Sequence, residues 1–318
     1  MTITIRNYRP GDEPSILELF AAADAVDKAE RGLSENDLRE WLTIPGVEPE
    51  RDFFIAEVDG APAGVIGFDI QTGTVAKHRA FTNGVTQPGY RRRGVGTRLF
   101  EAAEARAAEK MRALPPGPTC YLEAFARSTQ TDLIALLESI GLKPARYFFG
   151  MIRDVRGELP PAINPDGLLI RSFRDEDDAQ AYAAFDEAFR DHWGYEQMSP
   201  AEWKHFFRDT ADYNPALWFM AWDGDELAGI ALNFIKAEEN ARVGRKQGLV
   251  GELGVRRAWR KRGVATALLR RSFHAFREAG MDYAVLGVDS ENPTGALGLY
   301  QRLGFEVLRE NVAYRKEI

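Results

Sequence analysis

Val85-Thr86-Gln87-Pro88-Gly89-Tyr90-Arg91-Arg92-Arg93-Gly94-Val95-Gly96 and Val255-Arg256-Arg257-Ala258-Trp259-Arg260-Lys261-Arg262-Gly263-Val264-Ala265 are two renderings of one pattern. Each runs from an apolar strand into a basic, glycine-bearing turn, and a helical pattern follows each. Such a turn presents free backbone N–H groups and the positive end of a helix dipole, where a pyrophosphate could sit. Glycine lets the main chain approach a ligand with no Cβ in the way. A single copy fits a solvated basic helix cap about as well. Two copies with matched flanks favour a phosphate cradle.

The repetition extends outward from both turns. Ile5-Arg6-Asn7-Tyr8-Arg9 returns as Ile170-Arg171-Ser172-Phe173-Arg174, each a short strand before an acidic turn and an amphipathic helix (16–26 and 179–189). Asp59-Gly60 and Asp223-Gly224 each separate two strand-like runs, 53–58 from 65–70 and 217–222 from 230–235. Asp-Gly between apolar alternations is a strong hairpin signal. The offset between copies stays within 164–169 residues, as a duplication with small loop insertions would give. The proline-rich stretch 156–165 suits a linker, so domains are expected at 1–156 and 166–318. Each half reads as strand, one or two helices, three strands, helix, strand, helix, strand. The fold class is therefore α/β: two tandem domains, each a central mixed sheet flanked by helices.

The chain has 318 residues, a formal charge of −7 and a single cysteine. That length accommodates two cores. The charge argues against a nucleic-acid partner, and no apolar run approaches the ~20 residues that span a membrane. Met1-Thr2-Ile3-Thr4-Ile5-Arg6 has no secretory pattern, and with one cysteine the expected location is the cytoplasm. Cys120, in the apolar run Cys120-Tyr121-Leu122, is expected to be a buried structural thiol. No His or Cys set has metal-ligand spacing, so no metal is expected. Monomer and homodimer both remain open.

The cradles are not Walker loops, because no Gly-Lys-Ser/Thr follows, and the G-x-G-x-x-G order of a dinucleotide fingerprint is missing. Arg-x-x-Gly-x-Gly/Ala after a Val-ended strand resembles the acetyl-CoA motif of the GNAT superfamily of N-acetyltransferases. The second half adds Leu286-Gly287-Val288-Asp289-Ser290-Glu291-Asn292 and then Tyr300-Gln301-Arg302-Leu303-Gly304-Phe305. This is similar to the strand, Asn, helix, Tyr, Gly-Phe order that follows the family's cofactor loop. The resemblance covers nearly the whole chain, once per half, as in tandem members of the family. It implies an acetyl-CoA-dependent N-acetyltransferase acting on a primary amine of a small molecule or peptide. The competing class is a non-catalytic acyl-CoA-binding or scaffolding protein. Cofactor contacts are expected from Leu253, Val255, Arg260, Lys261, Arg262, Gly263, Val264, Ala265, Thr266 and Asn292, and in the first copy from Val85, Arg91, Arg93, Gly94 and Gly96.

Acyl transfer to an amine needs a group to take the amine's proton and one to protonate or stabilise the departing thiolate. Tyr300 matches the family's tyrosine acid. Glu252, in Gly251-Glu252-Leu253-Gly254-Val255, is the candidate base, with Asp289, Glu291 or a water chain as alternatives. Family members often carry the base further upstream, where Leu249 stands here. In the first half, placing Gly141-Leu142 on Gly304-Phe305 puts Leu137 at the tyrosine position and Thr129 at the asparagine position. Leucine cannot donate a proton, so catalysis is expected in the second half only. Phe189-Arg190-Asp191-His192-Trp193-Gly194-Tyr195-Glu196, with Trp203, His205 and Phe206, fits either an acceptor pocket or a helix pair with buried aromatics.

Overall fold

Two compact units make up the chain: Met1–Tyr147 with Asn311–Ile318, and Phe148–Glu310. The computed structural model describes all residues except 31, 73–76, 115–118, 196 and 293–294. The stretch 156–165, expected as the junction, lies inside the second unit, and the last residues of the chain belong with the first.

Unit 1 contains β1 (Ile3–Asn7), α1 (Glu13–Asp27), α2 (Glu35–Leu42), α3 (Pro49–Asp52), β2 (Phe53–Val58), β3 (Ala61–Thr72), β4 (Lys77–Thr86), α4 (Val95–Arg112), β5 (Thr119–Arg127) and α5 (Thr131–Ser139). The strand β6 (Lys143–Asp154) then runs into unit 2. There follow β7 (Leu169–Ser172), α6 (Asp178–Phe189), α7 (Pro200–Trp203), β8 (Phe219–Asp223), β9 (Glu226–Phe234), α8 (Ala237–Val243), β10 (Gln247–Val255), α9 (Val264–Glu278), β11 (Tyr283–Asp289), α10 (Ala296–Arg302) and β12 (Glu306–Glu317). The mixed α/β class and the repeated element order are as the sequence predicts.

In unit 1 the strands lie in the order β1-β2-β3-β4-β5-β12, and in unit 2 in the order β6-β11-β10-β9-β8-β7. The final strand of each unit is thus supplied by the other half of the sequence. Asn311–Glu317 pairs antiparallel with β5, and 148–154 pairs antiparallel with β11. The first hairpin turns as predicted, with Asp59 at φ +50° and Gly60 at φ +84°, as a two-residue loop with both centres left-handed requires. Both sheets are antiparallel except at β4·β5 and β10·β11, which are parallel and bridged by α4 and α9.

Helix spacing explains the cores. Leu99, Ala103 and Ala107 recur every fourth residue on α4 and pack against Ile66, Phe68 and Leu122. On α9, Leu269, Phe273 and Phe276 cover one face of the unit-2 sheet through Leu286 and Val288. Phe185 of α6 covers the other face with Trp218 and Ile230. Cys120 is half-buried rather than buried, packed at the edge of the unit-1 core.

The end of the chain is held in unit 1 by charge as well as by pairing. Glu123 of β5 is fully buried; Arg79 donates to its Oε1 at 2.9 Å and Arg315 of β12 to its Oε2 at 2.9 Å. Removing the carboxylate would leave two guanidinium groups without it, a loss typically near 3–5 kcal/mol. Glu123→Ala should therefore lower the unfolding free energy measured in urea by about that amount. A change under ~1 kcal/mol would show that the buried carboxylate does not hold β12.

Candidate active site

In unit 2 the parallel strands stop pairing before they end. The β10·β11 ladder runs from Gln247↔Tyr283 to Val250↔Leu286, although β10 continues to Val255 and β11 to Asp289. At the same level the β10·β9 register shifts between Val250 and Glu252, a bulge at Gly251. The result is a slot between two central strands whose facing backbone groups lack one another as partners.

Side-chain alternation decides what borders the slot. Gly254 faces α6, since a Cβ there would touch Ala188 and Phe189. Glu252, two residues earlier, points to that same face. Leu253 and Val255 point to the α9 face. Tyr300 of α10 is buried on the α9 side among Leu269, Phe273 and Leu286, edge-on to Phe305 at 5.8 Å. The two candidate catalytic groups therefore come from opposite faces and meet at the slot. Part of Glu252 reaches solvent, yet protein crowds its carboxyl, and burial pushes it up to about 8. Burial first, and then the charge of Glu252, holds the Tyr300 phenol above its usual range.

The two cradles share one backbone conformation. Arg92 and Lys261 have φ +59° and +63°, Gly94 and Gly263 have φ +86° and +80°. Non-glycine residues in the left-handed region at matched positions mark strain kept for a purpose. Neither α4 nor α9 has a side-chain cap or an acidic residue in its first turn, whereas α1, α2, α5 and α6 all begin with an acid. The first-turn N–H groups of both cradles are thus open to an anion.

The cradle arginines have partners within the protein. Arg260 donates to the carbonyl of Val255 (3.2 Å), to Asp191 (3.1 Å) and to the carbonyl of Ala188 (3.2 Å). Arg91 likewise donates to the carbonyl of Thr86 (3.3 Å) and to both oxygens of Asp27 (2.6 and 2.9 Å). Each guanidinium fastens the loop to its own strand and to an aspartate at the end of the first α-helix of its unit, Asp27 closing α1 and Asp191 just past α6. Lys261 is exposed. Arg262 is tied to Asp223 (3.2 Å), and Arg93 lies over Tyr90. Asn292 is half-buried just beyond Asp289.

Arg257 shares Asp191 at 2.5 Å, and these two arginines hold its carboxyl below the usual range. Trp193 packs on Phe148, which pairs with Asp289. The segment Asp191-His192-Trp193 therefore straps the end of the slot, with His192 edge-on to Phe189 and its basicity lowered by burial. Trp203, by contrast, is core; His205 and Phe206 meet edge-on near the surface, and Glu196 lies outside the described residues. No group of three potential metal ligands, and no helix long and apolar enough to cross a membrane, occurs among the described residues.

Residues 15–118 and 179–305 match the sequence pattern of the Acetyltransferase (GNAT) family, once per half. The chain belongs to this family. A mycothiol acetyltransferase of Geodermatophilus obscurus is 29% identical over 96% of this chain and 95% of its own length. The crystal structure of a GCN5-related N-acetyltransferase from Sphaerobacter thermophilus superposes with a TM-score of 0.76 at 29% identity, over 99% of this chain and 95% of that one. A tandem GNAT protein of the clavulanic acid pathway shares the fold with a TM-score of 0.70 at 15% identity, over 99% and 98%. The protein is an N-acetyltransferase of the GNAT type, and enzymes of this type generally use acetyl-CoA.

Unit 1 has the slot without the two candidate catalytic residues. Its β4·β5 pairing ends at Thr82↔Ala124, but β3·β4 runs without a shift from Gly64↔Thr86 to Thr72↔His78, so no bulge forms. The arginine-to-carbonyl bonds align Thr86 with Val255, and hence Asn83 with Glu252. Leu142 N–H donates to Leu137 C=O (2.9 Å) as Phe305 N–H does to Tyr300 C=O (3.0 Å), which sets Leu137 in the place of Tyr300. A cavity of about 500 Å³ nevertheless opens there, lined by Val85, Gly94, Gly96 and Thr97 of the cradle and by Leu133 and Leu136 of α5.

Sequence reasoning missed the bulge, the strap and Phe148, a residue from the first half of the chain that sits at the unit-2 site. Gly251 and Gly287, both inside strands, were the available signals. Thr266→Asp tests the cradle with opposite signs. An acid in the first turn of α9 should leave the fold as stable or stabilise it by ~0.3–1 kcal/mol. In a Thr97→Asp background, which closes the unit-1 cradle, it should also weaken acetyl-CoA binding tenfold or more by calorimetry; unchanged affinity would rule out this helix end as the anion site.

Proposed function

We propose that unit 2 transfers an acetyl group from acetyl-CoA to a primary amine of a small molecule or peptide. The observation that carries this is the slot: Glu252 borders it from the α6 face and Tyr300 from the α9 face, beside an uncapped helix end. Acetyl-CoA, when bound, supplies an acetyl thioester whose sulfur leaves as a thiolate. Glu252 takes the proton of the amine, with a carboxyl poised near 8 for that task. Main-chain N–H groups of β10 beyond Val250 are the donors available to polarise the carbonyl. Tyr300 donates to the sulfur. Its phenol is held up partly by the Glu252 charge, so protonation of Glu252 removes that effect and makes Tyr300 the stronger acid. The order of events follows: base first, then acid.

Unit 1 binds acyl-CoA in its cavity without turning it over. Asn83 and Leu137 in the positions of Glu252 and Tyr300, and the continuous β3·β4 ladder, support this division of labour. The amine substrates implied by the names of the mycothiol acetyltransferases are the first acceptors to assay.

The pH profile is the direct test. Since Glu252 must be ionised, kcat/KM should rise with pH to a plateau above an apparent pKa near 8. Glu252→Gln should lower kcat by ~10²–10⁴ and flatten that limb, and Tyr300→Phe should lower it at least tenfold. A limb that persists unchanged in Glu252→Gln would remove Glu252 from the role. Stability carries the same signature. A carboxyl whose folded pKa lies above its ordinary 4.5 weakens folding progressively as pH rises between 4.5 and 8. Glu252→Gln should therefore gain stability relative to wild type at pH 9 but not at pH 4.

The division between units predicts that Thr97→Asp, in the unit-1 cradle, spares turnover while Thr266→Asp abolishes it. Equal loss in steady-state assays of both variants would contradict a single working site.

A further inference from the structure

On the α6 face the middle of the unit-2 sheet is bare. Gly287 lies in β11, between β10 and β6, yet it is exposed, and a Cβ there would meet nothing within 4 Å. Its partner across the antiparallel ladder is Gly150, so the two glycines form a strip without side chains on one face. The side chain of Arg309 lies over Gly150, with Cγ at 2.6 Å and Nε at 2.8 Å from where a Cβ would stand. Glu252 borders Gly287 from the β10 side, and Asp289 with the strap closes the end of the strip. Packing of Arg309 accounts for Gly150. It does not account for Gly287, whose missing side chain leaves open space.

We propose that the acceptor carries a carboxylate as well as its amine, and that Arg309 receives the carboxylate while the amine lies at Glu252. This rests on the assignment of acetyl transfer to unit 2. Arg309 then determines specificity, its planar fork matching a carboxylate. The bare strip at Gly287 separates the two groups, with β11 standing between β10 and β6. The acceptor class is a zwitterion whose charges lie further apart than in an α-amino acid, a dipeptide being the simplest.

The test compares kcat/KM for glycylglycine and glycylglycinamide by thiol release, in wild type, Arg309→Met and Arg309→Lys. Wild type should favour the carboxylate by roughly tenfold to a hundredfold, the worth of a charged hydrogen bond. Arg309→Met should bring the ratio near one, with Arg309→Lys between, while both keep wild-type affinity for acetyl-CoA. A merely structural arginine would change both rates together and leave the ratio intact. No preference in wild type, or a preference kept in Arg309→Met, overturns the carboxylate proposal and leaves acetyl transfer standing. Failure of wild type to acetylate these or any of a panel of amines, with acetyl-CoA still bound, overturns the transfer assignment itself and this proposal with it.

Discussion

Parallel strands that stop pairing while they continue side by side leave backbone donors and acceptors without their ladder partners, and a protein interior does not tolerate that unless something else meets them. The slot beyond Val250 and Leu286 is that place in unit 2. Everything around it follows from the gap. The bulge at Gly251 sets Glu252 on one face, α10 brings Tyr300 to the other, and the turn after β10 aims the start of α9 at the same opening. Unit 1 keeps the gap but not the bulge, and has Asn83 and Leu137 where unit 2 has Glu252 and Tyr300.

Two groups at the slot are displaced in the same direction. Burial lifts Glu252, and the Glu252 charge adds to the burial that lifts Tyr300. The acidity of the phenol is thereby coupled to the protonation of the carboxyl. The arginines, which the sequence suggests as phosphate ligands, bind aspartates and carbonyls and so fix the loops that shape the cradles. Their charge is used to hold geometry.

Local chemistry was the legible part. Asp59-Gly60 specifies a turn with two left-handed centres, the glycines of the cradles specify backbone open to an anion, and helix periodicity places Leu99 and Phe273 inward. The contrast of Tyr300 with Leu137 was legible too, because it depends only on residue type at aligned positions. What escaped depends on pairing between distant segments. Nothing near Glu123 in sequence announces Arg315, and nothing near Asp289 announces Phe148. Trp203 and His192 look alike as aromatic residues beside a helix, and only packing makes one core and the other a strap.

The sequence by itself determined a duplicated α/β acetyltransferase whose halves differ at the tyrosine position, since motif spacing, turn residues and the loss of a phenol are properties of short stretches. The tertiary structure decided the exchange of final strands between the halves, the bulge that turns Glu252 toward the slot, and the bare floor at Gly150 and Gly287. The physical reason is the same for all three. A strand's register and the face its side chains take are set by the hydrogen-bonding partner it finds, and that partner lies far away in the chain.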